Sequence, residues 1–138
     1  MKHKKGYIIT LVIIFTVLAA GCLSSNSSDE LSVSLSADKD TYSFGEFMLL
    51  QVTIQTPDKM ENVTVNGDGL VSSKGPQLRM GPRTVDLLPG TNIVNFTERV
   101  PSCSPCTKLD EGSYNITASV SYKKEVIAEV SCTVTLTA

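Results

Sequence analysis

Cys103 and Cys106 enclose Ser104 and Pro105. Thiols at this spacing can close a loop disulfide or exchange electrons with another dithiol. Cys132 alternates in phase with Val130 and Val134, which turns it inward as a small buried hydrophobe. Thiols of exported chains tend to pair, so one of these three is left over. The first expectation is a Cys103–Cys106 disulfide with Cys132 buried and reduced; a link from Cys132 to Cys103 or Cys106 competes with it. Zinc needs four ligands, and the one histidine, His3, lies in the first few residues. No metal is expected, and a Ser/His/Asp set has no histidine to use. Asp38, Asp40, Glu46 and Asp68 lack the spacing of a calcium loop and read as solvated surface. Gly67-Asp68-Gly69 reads as a turn, not a phosphate loop. No catalytic residue and no cofactor follow from this inventory.

A fourth cysteine, Cys22, closes a different kind of segment. Lys2, His3, Lys4 and Lys5 precede an apolar run from Tyr7 to Ala20 that only Thr10 and Thr16 interrupt. A basic start, a short apolar stretch and a small-residue end make a secretory signal. A spanning helix needs about 20 apolar residues, and here polar Ser24-Ser25-Asn26-Ser27-Ser28 follows almost at once. Leu18-Ala19-Ala20-Gly21-Cys22 resembles a prokaryotic lipobox, although Ala19 stands where an aliphatic residue is usual. The resemblance implies cleavage before Cys22 and lipidation of Cys22, with multiple acyl chains for stable anchoring. An uncleaved anchor, or an ordinary signal with an incidental cysteine, is the alternative. The expected organisation is a signal peptide over 1–21, a flexible tether over 22–30 and one domain over 31–138.

The net charge of the chain is −2. Removing Lys2, Lys4 and Lys5 leaves nine basic against fourteen acidic residues, a net of −5. Nucleic-acid binding calls for a basic footprint, so no nucleic acid is expected as a partner.

From Leu31 onward the apolar residues recur with period two and not with helical period. Leu31 to Ala37, Met48 to Ile54, Val63 to Val65, Thr84 to Leu87, Val94 to Val100, Tyr114 to Tyr122 and Val126 to Leu136 read as strands. A short edge strand is expected near Leu78 to Met80. Asn66 to Gly69 reads as a chain-reversing turn. Directly opposed residues share a face, so Lys123-Lys124-Glu125 is expected as a three-residue turn pairing Tyr122 with Val126. That register sets Cys132 opposite Ile116. Tyr114, Ile116 and Val120 should then face inward with Val52, Phe96 and Val130. Seven or eight strands at this spacing suggest an all-β sandwich.

Asp110-Glu111-Gly112-Ser113-Tyr114 resembles the tyrosine corner of immunoglobulin-like domains, in which the Tyr114 hydroxyl would bond backbone a few residues upstream. Tyr42, Gly45 and Glu46 resemble the Tyr-x-x-Gly-Glu lead-in to the second strand of secreted immunoglobulin-like modules, with Phe44 replacing a proline. Such modules include bacterial macroglobulin-type and archaeal cell-surface domains. The resemblance implies an immunoglobulin-like Greek-key β-sandwich of about seven strands, and these modules share no active site. The expected protein is a non-catalytic lipoprotein, lipid-anchored in the cell membrane with its domain outside the cytoplasm. Its partners would be the membrane, through the lipid, and an envelope protein. Cys-Ser-Pro-Cys also matches the Cys-x-Pro-Cys spacing of thioredoxin-like enzymes, so an extracytoplasmic thiol–disulfide component using Cys103 and Cys106 is the alternative. Those enzymes set the first cysteine at a helix N-terminus, whereas strand patterning follows here. Sequons at Asn26, Asn62, Asn95 and Asn115 are candidate glycosylation sites.

Overall fold

Residues 30–138 are described by the computed structural model; Cys22, Asn26 and the expected signal peptide lie outside the described residues. Alternation of apolar with Ser, Thr and Gln residues gives eight strands: β1 (Ser32–Ala37), β2 (Thr41–Ser43), β3 (Phe47–Thr56), β4 (Met60–Ser72), β5 (Gly75–Leu87), β6 (Gly90–Arg99), β7 (Gly112–Tyr122) and β8 (Glu125–Thr137). One helical turn, α1 (Ser104–Thr107), joins β6 to β7. Two sheets form, β1-β3-β6 and β2-β8-β7-β4-β5. The chain crosses between them after β1, β2, β3, β5 and β6, in an immunoglobulin-like Greek-key sandwich. Every pairing is antiparallel except β2 with β8, where Thr41, Tyr42 and Ser43 run alongside Thr135, Leu136 and Thr137.

The core lies between the inward rows. Met48, Leu50, Val52 and Ile54 of β3 and Val94 and Phe96 of β6 supply one side; Val63 and Val65 of β4, Ile116, Ala118 and Val120 of β7, and Val134 and Leu136 of β8 supply the other. Burying such side chains contributes roughly 1.5–3 kcal/mol each. Tyr114 and Val130 pack only half-buried against this cluster, so the expected inward set holds for Ile116, Val120, Val52 and Phe96 and is partial for these two.

The segment from Asn66 to Gly69 does not turn. It runs straight through β4, which pairs with β5 on one side and β7 on the other. Its glycines answer to crowding: a Cβ on Gly69 would lie 2.9 Å from the Asn115 carbonyl oxygen, and one on Gly67 would strike the Thr117 carbonyl. The separate short strands expected around residues 78–80 and 84–87 are one strand, β5. At the sheet edge it tolerates Pro76 and Pro82, because a proline there removes no ladder bond the sheet needs. The β7–β8 turn is also shorter than expected. Tyr122 pairs with Glu125, leaving the two-residue turn Lys123-Lys124, both at positive φ. The parity problem is solved inside β8. Ser121 opposes Val126 and Val120 opposes Ala128, so Ile127 is an extra, bulged residue. Beyond the bulge the register is the expected one, with Ile116 opposite Cys132.

Candidate functional site

The chemistry-bearing loop starts where β6 ends. The Val100 amide donates to the Glu46 carbonyl at 2.8 Å, and the Gly45 amide donates to the Val100 carbonyl at 3.0 Å. Cys103 then caps α1, its sulfur accepting from the Cys106 amide at 3.2 Å. Pro105 suits the first turn of a helix, where its missing N–H has no partner to lose. Lys108 ends α1 at φ 60 and its amide donates to the Ser104 carbonyl. Leu109 then plugs the core, fully buried, and the Ser104 hydroxyl donates to its carbonyl.

Cys103 and Cys106 are joined as a disulfide, with their Cα atoms 5.3 Å apart. Cys103 is half-buried and Cys106 exposed. The loop is clamped to the tip of the β4–β5 hairpin: the Ser72 hydroxyl donates to the Thr107 carbonyl at 2.5 Å, and Lys74 Nζ donates to the Cys106 carbonyl at 2.8 Å. Neither contact has a sequence signal, because hairpin tip and loop are more than thirty residues apart. Sequence patterning placed the pair on a plain loop, whereas Cys103 sits at the N-terminus of one helical turn. Four residues carry only a fraction of a helix dipole, and β7 that follows is a strand.

Tyr114 is the pivot at the other end of the loop. Its hydroxyl donates to the Asp110 carbonyl at 2.8 Å and accepts from the Asp110 amide at 3.0 Å. Tyr42 carries a second bond of this kind, also to an aspartate four residues upstream. The Tyr42 hydroxyl donates to the Asp38 carboxylate and accepts from the Lys39 amide at 2.9 Å. Asp38 also accepts from the Leu49 amide at 3.1 Å. The Tyr42 bond holds the carboxyl of Asp38 below its usual range, while burial and the Asp38 bond push the Tyr42 phenol up to about 12. Sequence reading found Tyr42 but not this role. The signal was the Asp-x-x-x-Tyr spacing shared with Asp110 and Tyr114.

Cys132 is a free thiol, half-buried, and burial raises its pKa. Glu46 accepts from the Ser43 amide at 2.8 Å and pairs with Lys39; Asp68 stands opposite Arg79. Among the described residues no three His, Cys, Asp or Glu side chains gather as a metal site. Asn62, Asn95 and Asn115 are all exposed.

No family model matches the sequence, and no curated protein matches it. Solved structures do match its fold. The CARDB domain of a Pyrococcus furiosus protein, determined in complex with di-metal ions, is similar at a TM-score of 0.55 and 16% identity, over 78% of this chain and 88% of that one. The C-terminal domain of wzt gives a TM-score of 0.54 at 8% identity, over 80% and 75% of the two chains. An alkylpurine DNA glycosylase from Pseudomonas fluorescens gives 0.57 at 17% identity, over 80% of this chain but only 31% of the enzyme. At these identities the likeness is one of fold.

Proposed function

We propose that this protein is a non-catalytic cell-surface lipoprotein, anchored through Cys22, whose immunoglobulin-like domain is a binding or structural module of the envelope. One observation carries the reading. The side chains with the means for chemistry are occupied in holding connections between strands: Cys103 with Cys106, Tyr114 on Asp110 and Tyr42 on Asp38. Similarity to CARDB domains supports a sandwich used as a module, and the polar segment from Leu23 to Asp29 suits a spacer between lipid and domain.

The test is a Cys22→Ser variant expressed beside the wild type in the native host. Lipid labelling should disappear, and the protein should leave the membrane fraction or remain unprocessed. Equal membrane retention of both chains with residues 1–21 still attached would overturn the anchor. Crosslinking on intact cells, followed by identification of the attached protein, then reads the partner.

The second reading, a thiol–disulfide component, is favoured by the exposure of Cys106. The reduction potential separates the two: a structural clamp lies below roughly −300 mV and a working couple well above it.

A further inference from the structure

Five asparagines lie in the described domain: Asn62, Asn66, Asn92, Asn95 and Asn115. The fold gives them different work. Asn92 is outside any sequon, and its side-chain amide is consumed by a turn. Its Oδ1 accepts from the Leu88 amide at 3.0 Å; its Nδ2 donates to the carbonyls of Leu88 at 2.8 Å and Gly90 at 3.3 Å. Asn66 has neither a sequon nor a side-chain bond among the described residues.

Asn95 and Asn115 are the reverse case. Each stands exposed in a regular strand, followed by a buried residue, Phe96 or Ile116, and then by a threonine. Strand alternation turns the asparagine and the threonine, two apart, to the same outward face. Among the described residues the Asn95 side chain makes no hydrogen bond. The Asn115 side chain uses its oxygen alone, accepting from Thr133 Oγ1 at 2.8 Å. A glycan attaches to Nδ2 and leaves Oδ1 an acceptor, so that bond survives modification. The directly opposed neighbours, Gln51 for Asn95 and Thr133 for Asn115, are uncharged. Asn62 differs: it lies at a register break in β4 with φ 57, where alternation with Thr64 is interrupted.

We propose that Asn95 and Asn115 are N-glycosylated, placing one glycan on the outer face of each sheet. The donor class is an oligosaccharide linked to a polyprenyl phosphate. The side-chain nitrogen attacks the anomeric carbon, an N–C bond forms, and the C–O bond to the lipid phosphate breaks. Its electron pair leaves with the phosphate, and the amide gives one proton to a base. The modification requires export, and in that respect it rests on the function proposed above.

The experiment is mass spectrometry of the full-length protein purified from its native membranes, read both intact and as proteolytic peptides. The expected spectrum shows oligosaccharide increments on the peptides that contain Asn95 and Asn115. Asn95→Gln and Asn115→Gln each remove one increment, and Thr97→Ala removes the Asn95 increment while keeping the asparagine. Thr97 is exposed, so the last variant keeps its fold. Bare Asn95 and Asn115 in a chain that has lost residues 1–21 overturn the glycan proposal and leave export standing. Bare asparagines in a chain that retains residues 1–21 overturn the glycan proposal together with cleavage before Cys22. Increments that persist in Thr97→Ala at Asn95 overturn the sequon as their cause.

Discussion

Tyr42 shows what one hydroxyl does in this fold. Fully buried, it reaches Asp38 and Lys39 at the crossover from β1 to β2, and through Asp38 it reaches the Leu49 amide at the start of β3. Tyr42→Phe removes the only atom that both contacts share. The expected loss is about 1–3 kcal/mol, the cost of leaving bonded groups without a partner, read by denaturant unfolding. The same bond sets a pH dependence. A phenol raised to about 12 in the folded chain, against an ordinary value near 10, favours the protonated form when folded. Its contribution is complete below about pH 10 and fades as pH rises towards about 12. Asp38, held low, acts in the opposite direction: its contribution is present at neutral pH and is lost in acid as the carboxylate protonates. Tyr42→Phe should flatten the alkaline arm and weaken the acid one. The two tyrosines were legible in the sequence as motifs, and the tie from Tyr114 to Asp110 was legible as a mechanism. The Asp38 carboxylate was not, because side-chain and backbone acceptors share the same spacing in the chain.

The hairpins divide into those that periodicity reveals and those it hides. Long strands of alternating apolar and hydroxyl residues, β3, β7 and β8, could be read directly. The β4–β5 pair could not, because Asn66-Gly67-Asp68-Gly69 has turn composition while its glycines serve the close approach of β7. Composition reports which conformations a residue permits; it does not report which neighbour forbids a side chain. The β7–β8 turn failed for a related reason. Parity demanded one extra residue and left open whether turn or strand would hold it. A two-residue turn with both φ positive favours Asn-Gly, and Lys123 and Lys124 are there instead. Lys123→Asn with Lys124→Gly should therefore stabilise by about 1 kcal/mol, a rise of several degrees in Tm for a domain of this size. The loop between β6 and β7 gives the converse test. The Cys103–Cys106 disulfide closes four residues, so the chain-entropy model limits its contribution to about 2 kcal/mol. Cys103→Ser with Cys106→Ser should fold, with faster proteolysis between Val100 and Gly112. In the wild type, alkylation should reach Cys132 readily only after unfolding, since its burial disfavours the thiolate.

The two sheets are unequal, three strands facing five, and the difference falls on β8. Only its last residues gain β2 as a second neighbour, which leaves Val126 exposed and Ala128 and Val130 half-buried. The bulge at Ile127 and the charges of Glu125 and Glu129 guard this open edge against pairing with other chains. The parallel contact of β2 with β8 has a temporal meaning as well. Residues 41–43 lie in the first part of the domain and find their partners only at residues 135–137. Contacts of such high contact order form late, because the long intervening segment must be ordered first. Removing Thr133–Ala138 should abolish the cooperative unfolding transition, and dispersed NMR signals from the shortened chain would refute this. A ribosome or a translocation channel delivers residues in order. Until residues 135–137 emerge, Tyr42 lacks the strand that covers it, and the sandwich has no closed state to reach. The domain therefore stays open while β8 is incomplete and becomes a rigid body only once residues 135–137 are in place.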